Sequence, residues 1–233
     1  MLDGVSPGHR PGAAENRSSG APGRGVRVKK AAFALAAVFL AAALYLALRP
    51  GGEIPAGVFV PEDGVILCFG DSLTYGTGSS PGMDYPSRLS AMLGRPVINA
   101  GRPGDTTAGA LERLDQDVLS HAPALVLITL GGNDLKNRLP YDQAFANLGA
   151  IITRIRQETG ALVVVGGIRV PFVGRDLAHG YERVCRETGA VLVPDVYEGI
   201  FGRRELMSDP IHPNDKGYRI MAERFHEAIR PYL

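Results

Sequence analysis

Val65-Ile66-Leu67-Cys68-Phe69-Gly70-Asp71-Ser72 is the stretch that decides the fold. Five apolar residues run without interruption into a glycine, an acid and a hydroxyl. An apolar run of strand length, bounded by turn residues, is the pattern of a strand covered on both faces, as in a parallel sheet. The strand is expected over 65–70, and similar runs recur at 96–100, 124–130, 162–168 and 190–194. Between them the period changes to that of a helix. Ala108, Leu111, Leu114 and Val118 share one helical face, as do Tyr141, Phe145, Leu148, Ile152 and Ile155. Leu177, Tyr181, Val184 and Thr188 form another such face, and Tyr218, Met221, Phe225 and Ile229 the last. A shorter helix is expected over 84–93. The alternation predicts an α/β fold: a three-layer α/β/α sandwich around a five-stranded parallel sheet, joined by right-handed crossovers.

Ligands of such sheets bind beyond the carboxyl ends of the strands. Gly70-Asp71-Ser72 follows the first strand and Asn99 to Thr106, with Gly104, follows the second. Gly131-Gly132-Asn133-Asp134 follows the third, and Asp209-Pro210-Ile211-His212-Pro213-Asn214 follows the fifth. All four clusters are therefore expected on one rim. Taken singly each has an ordinary explanation: Ser72 as a helix cap, Gly104 as a turn residue, Gly131-Gly132 as a loop tolerating positive φ. Together they provide the parts of acyl transfer. Ser72 is the candidate nucleophile, His212 the base, and Asp209 the group that orients and charge-balances the imidazole. The N–H groups of Ser72 and Gly104 and the side-chain amide of Asn133 are the candidate oxyanion donors.

These blocks resemble, in content and in order, those of the SGNH (GDSL) hydrolases. The likeness covers about 64–233 and is greatest to the bacterial thioesterase I, lysophospholipase and arylesterase group. Ile168-Arg169-Val170-Pro171, followed by Gly174-Arg175, adds to it. The resemblance implies a flavodoxin-like fold and the same five residues in the same roles. It implies hydrolysis of acyl esters, thioesters or lysophospholipids through an acyl-enzyme. The alternative with the same residues is an O-acetylesterase acting on cell-envelope polysaccharide. Asp71, Arg169 and Arg175 are candidate substrate contacts, a surface salt bridge being the competing role for the arginines. The Gly-rich run Gly76 to Gly82 departs from the group's pattern and is expected to shape the entrance to the acyl site. A non-catalytic binding module on the same fold is disfavoured by the intact Ser72, Asn133, Asp209 and His212.

Other chemistry finds no support in the residues. There is no Gly-x-Ser-x-Gly elbow, no His-Glu-x-x-His or Cys/His cluster for a metal, and no Gly-Lys-Ser/Thr to end a phosphate loop. Neither a cofactor nor a metal is expected. Cys68 and Cys185 are expected as separate buried thiols. His121, His179 and His226 are expected in structural or solvated positions.

Net charge is +1, but residues 1–30 alone carry +4, which leaves the remainder mildly acidic and without the electrostatic footprint of a nucleic-acid partner. The 1–30 segment is expected to be a disordered basic tail. Residues 31–48 contain no charge and would span about 27 Å as a helix, near the thickness of a bilayer. Lys29, Lys30 and Arg49 flank them. The expectation is an uncleaved anchor in the inner membrane, tail in the cytoplasm and domain outside it. Residues 49–63 read as a Pro/Gly-rich linker.

Overall fold

A computed structural model describes residues 59–169 and 174–233, excluding the side chains of 174–176. The expectations for 1–30, 31–48, most of 49–63 and the Arg175 side chain lie outside the described residues. Among the described residues no helix is long and apolar enough to cross a membrane.

The described chain runs β1 (Ile66–Gly70), α1 (Ser72–Tyr75), α2 (Tyr85–Leu93), β2 (Val97–Gly101), α3 (Thr107–Glu112) and α4 (Leu114–Asp117). A 3₁₀ turn (Leu119–His121) precedes β3 (Leu125–Thr129), α5 (Gly132–Lys136), α6 (Tyr141–Thr159) and β4 (Leu162–Gly166). Then come α7 (Gly174–Thr188), β5 (Val191–Val193) and α8 (Asp215–Ile229). All strand pairs are parallel, in the order β2-β1-β3-β4-β5. That is the doubly wound order, whose crevice opens where β1 and β3 send their connections to opposite sides.

The apolar runs explain the order. Every residue of β1, β3 and β4 is buried, whereas β2 at one edge is only half-buried. Helix α2 packs against α8 on one face of the sheet, while α6 packs against α3 and α7. Tyr85 of α2 stacks on Phe225 of α8 with ring centroids 5.0 Å apart. Both are fully buried, and a side chain of that size contributes about 1.5–3 kcal/mol by leaving water. The longest helix, α6, puts Phe145, Leu148, Ile152 and Ile155 into the core at helical spacing and stops at Gly160, where φ is 72°.

The single helix implied by the face from Ala108 to Val118 is instead divided into α3 and α4, with the 3₁₀ turn following. It breaks at Arg113, which has φ −99° and ψ 5° and is buried despite its charge. Cys68 and Cys185 are free and buried. Burial pushes both thiols up, Cys185 to about 12, so neither is ionised near neutrality. His121 and His179 are exposed and His226 is half-buried.

Candidate active site

At the end of β1 the chain has no room for a side chain. A Cβ on Gly70 would lie 2.4 Å from both the Thr129 carbonyl oxygen and Thr74 Oγ1. The strand can therefore turn at once into α1. Asp71 caps that helix, its carboxylate accepting from Leu73 N at 2.9 Å. The cap of this helix is Asp71 and not Ser72, which leaves the hydroxyl free. Ser72 Oγ lies 3.0 Å from His212 Nε2.

The histidine comes from a loop held at both ends. Ser208 N donates to the His212 carbonyl at 2.9 Å, and Met207 and Pro213 form an antiparallel bridge. Asn214 then caps α8, its side chain accepting from Lys216 N and Gly217 N. Tyr197 Oη donates to the Ile211 carbonyl at 2.5 Å. Within the loop, Asp209 Oδ2 meets His212 Nδ1 at 2.6 Å. Asp209 Oδ1 accepts from Ile211 N at 2.8 Å and His212 N at 2.7 Å. Partial burial raises the Asp209 carboxyl, but the bonds from His212 and from these two N–H groups outweigh it and hold it below its ordinary value. An ionised Asp209 is the state that orients an imidazole toward a hydroxyl.

Asn133 stands in the first turn of α5, opposite the serine. Its amide nitrogen lies 2.8 Å from the Asp105 carbonyl oxygen and 3.3 Å from Asp71 Oδ2. Gly131, at φ 110°, makes the turn that delivers it. Asp134, the next residue, is buried and accepts from Thr107 N at 3.0 Å and Thr107 Oγ1 at 2.7 Å, which ties α5 to α3. Asp71 is buried against these acids. Burial raises its carboxyl to about 7, with the bond from Leu73 N lowering it and the charges of Asp105 and Asp134 adding smaller rises. Among the described residues, no protein acceptor takes the N–H of Ser72 or of Gly104.

The model of the GDSL-like Lipase/Acylhydrolase family matches residues 68–220, more than half of the chain. The chain belongs to that family. Esterase TesA of Pseudomonas aeruginosa is 32% identical over 179 residues, 72% of this chain and 89% of that protein. Thioesterase 1/protease 1/lysophospholipase L1 of Escherichia coli K12 is 28% identical over 176 residues, 72% of this chain and 84% of that one. A crystal structure of TesA superposes with a TM-score of 0.68 at 31% identity, covering 72% of this chain and 99% of that chain.

In this GDSL-like hydrolase a cavity of about 190 Å³ opens beside Ser72, His212 and Asn133. Leu135, Ile168, Tyr197, Phe201 and Ile211 make its apolar wall, and Asp71 and Lys136 also line it. Three sequence expectations fall outside the lining of this cavity. Gly104 is exposed at φ 82° and does not line the cavity, although its neighbour Asp105 holds Asn133. Arg169 does not line it either. Its guanidinium faces Glu182 at 3.8 Å, the surface pair that was the competing role. The Gly76–Gly82 run does not shape the entrance; none of it lines the cavity. It docks on the histidine loop instead. A Cβ on Gly78 would fall 2.0 Å from Ser208 Oγ, Ser80 N donates to Asp215 Oδ1 at 2.7 Å, and Tyr218 Oη donates to the Thr77 carbonyl at 2.8 Å.

The wall residues at 197–211 were not read from the sequence. They lie in turns, where no period marks which side chain faces inward. A charge between Leu111 and Leu114 likewise reads as solvent-facing, so Arg113 gave no sign of its burial.

Proposed function

We propose that this family member hydrolyses acyl esters and thioesters, lysophospholipids among them, with Ser72 as nucleophile. The observation that carries the reading is the hydrogen-bonded chain Ser72 Oγ, His212 Nε2, His212 Nδ1, Asp209 Oδ2, closed between residues 140 positions apart. Ser72 Oγ bonds to the carbonyl carbon while its proton passes to His212 Nε2. The oxyanion that forms is met by the N–H groups of Ser72 and Gly104 and by Asn133. Loss of one such donor costs about 3 kcal/mol of transition-state stabilisation. Collapse breaks the bond to the alcohol or thiol, which leaves with the proton from His212. Water, deprotonated by His212, then releases the acid and restores Ser72.

The apolar wall and the cavity volume support an acyl group longer than acetyl. About 150 Å³ of apolar cavity accommodates benzene, so about 190 Å³ has room for a chain of roughly six carbons. The test is labelling with a fluorophosphonate. The wild type should label and Ser72→Ala should not; labelling that survives in Ser72→Ala refutes the assignment. A nitrophenyl ester series should favour medium chains, whereas a sharp preference for acetate would favour the polysaccharide O-acetylesterase.

The domain is proposed to stand outside the cytoplasm on a membrane anchor at 31–48. The reading rests on eighteen uncharged residues and on the basic side chains on either side of them. Protease added to intact spheroplasts should digest the domain, and protection would refute that orientation.

A further inference from the structure

Arg113 is a cation in an apolar place. Its side chain is 6% exposed, and its guanidinium lies over the Phe69 ring, 4.3 Å from the centroid. Nε donates to Asp105 Oδ2 at 2.7 Å and Nη2 to the Gly70 carbonyl at 2.9 Å. Nη1 donates to the Ala100 carbonyl at 3.0 Å and to Asp117 Oδ2 at 2.8 Å. Holding a helix against a sheet does not call for this. An apolar side chain of similar volume does so without the desolvation cost of a charge, and buried ion pairs contribute little net stability.

The partners say what the charge is for. Gly70 O belongs to the peptide that leads into Asp71-Ser72, so Nη2 grips the strand end directly behind the nucleophile. Asp105 follows Gly104, and its own carbonyl accepts the Asn133 amide at 2.8 Å. One rigid, planar group thus fixes the turn carrying Ser72 N–H relative to the turn carrying Gly104 N–H. Through Asp105 it also fixes the amide of Asn133. These are the three donors whose mutual spacing an oxyanion would sense, and Arg113 touches none of the reacting atoms. We infer that Arg113 is a positioning residue that sets the geometry of the oxyanion site from behind. The inference rests on the proposed roles of Ser72, Gly104 and Asn133.

The geometry is that of a fork, so lysine is the informative replacement: it keeps the charge and loses the directed bonds. Arg113→Lys should leave KM for a nitrophenyl ester within about twofold and lower kcat by about 100-fold, the scale of a 1 Å misplacement in an active site. The deciding measurement is a cycle with Asn133→Ala. In the wild-type background Asn133→Ala should lower kcat by about 100- to 1000-fold. In the Arg113→Lys background it should lower kcat by less than tenfold, because the amide is already out of place. A purely structural Arg113 gives equal Asn133→Ala factors in both backgrounds and a change in melting temperature alone; that result, or an Arg113→Lys kcat within threefold of wild type, overturns the inference. If the lysine variant does not fold, Asp105→Asn takes its place, since Asp117 remains to neutralise the arginine, and the same two outcomes apply. Fluorophosphonate labelling of wild-type Ser72, done alongside, separates failure of this inference from failure of the serine assignment.

Discussion

Gly131→Ala tests whether the loop that delivers Asn133 depends on a conformation only glycine adopts cheaply. Gly131 has φ 110°, and a Cβ built there lies 2.6 Å from Tyr181 Oη. Tyr181 cannot retreat. It is 1% exposed, donates to the Leu130 carbonyl at 2.6 Å, and meets Phe145 edge-on at 5.2 Å. The backbone term costs about 1–2 kcal/mol and the overpacking about 1–3 kcal/mol, so a loss of about 3 kcal/mol is expected. Tyr181→Phe alone leaves the Leu130 carbonyl without its donor and should cost about 1–3 kcal/mol. It also removes the colliding atom, since the next contact from that Cβ is Tyr181 Cζ at 3.6 Å, ordinary packing. The double variant should therefore be more stable than the sum of the singles predicts, by about 2 kcal/mol. Urea unfolding followed by far-ultraviolet circular dichroism gives the three values. Ester hydrolysis should fall about 100-fold in Gly131→Ala, as Asn133 shifts with the loop. A Gly131→Ala protein within 1 kcal/mol of wild type, or a strictly additive double variant, would refute this reasoning.

Two further outcomes follow from the site. The Asp71 carboxyl is raised from 3.8 to about 7, so its folded form holds a proton that the unfolded form has lost; the stability this gives is complete below pH 4 and is lost as pH rises through 7. It is worth on the order of 4 kcal/mol, so Asp71→Asn, which keeps an acceptor for Leu73 N, should gain on wild type in urea midpoints from pH 4.5 to about pH 7 and then level off, and parallel curves would contradict this. Leu135→Trp should fill the apolar side of the cavity and lower kcat/KM for nitrophenyl octanoate at least tenfold relative to acetate, whereas an unchanged ratio would mean the acyl chain lies elsewhere.

The strands were legible because complete burial leaves a continuous apolar run, and each fell within a residue or two of its expected place. Ser72, Asn133, Asp209 and His212 were legible as members of a rim, since a parallel sheet delivers its loops to one side. What escaped the sequence had no period to carry it. Helices α1 and α5 have four and five residues, less than two turns. At the break, Arg113 binds the carbonyls of Gly70 and Ala100, 43 and 13 positions away, contacts that only the fold provides. Phe201 and Ile211 face the cavity because the segment after β5 folds back, and only the fold brings it there. The Gly76–Gly82 run was read by composition as an entrance. Gly78 instead permits close approach to Ser208 and the Pro213 carbonyl.

The long interval between Ser72 and His212 also bears on synthesis. During translation the hydroxyl leaves the ribosome well before its base exists, and the loop bearing His212 is anchored by α8 and by the cap that begins it. Until that final segment is made, Ser72 has no imidazole beside it to take its proton. A chain broken off before residue 197 would also lack Tyr197, Phe201 and Ile211, most of the apolar wall.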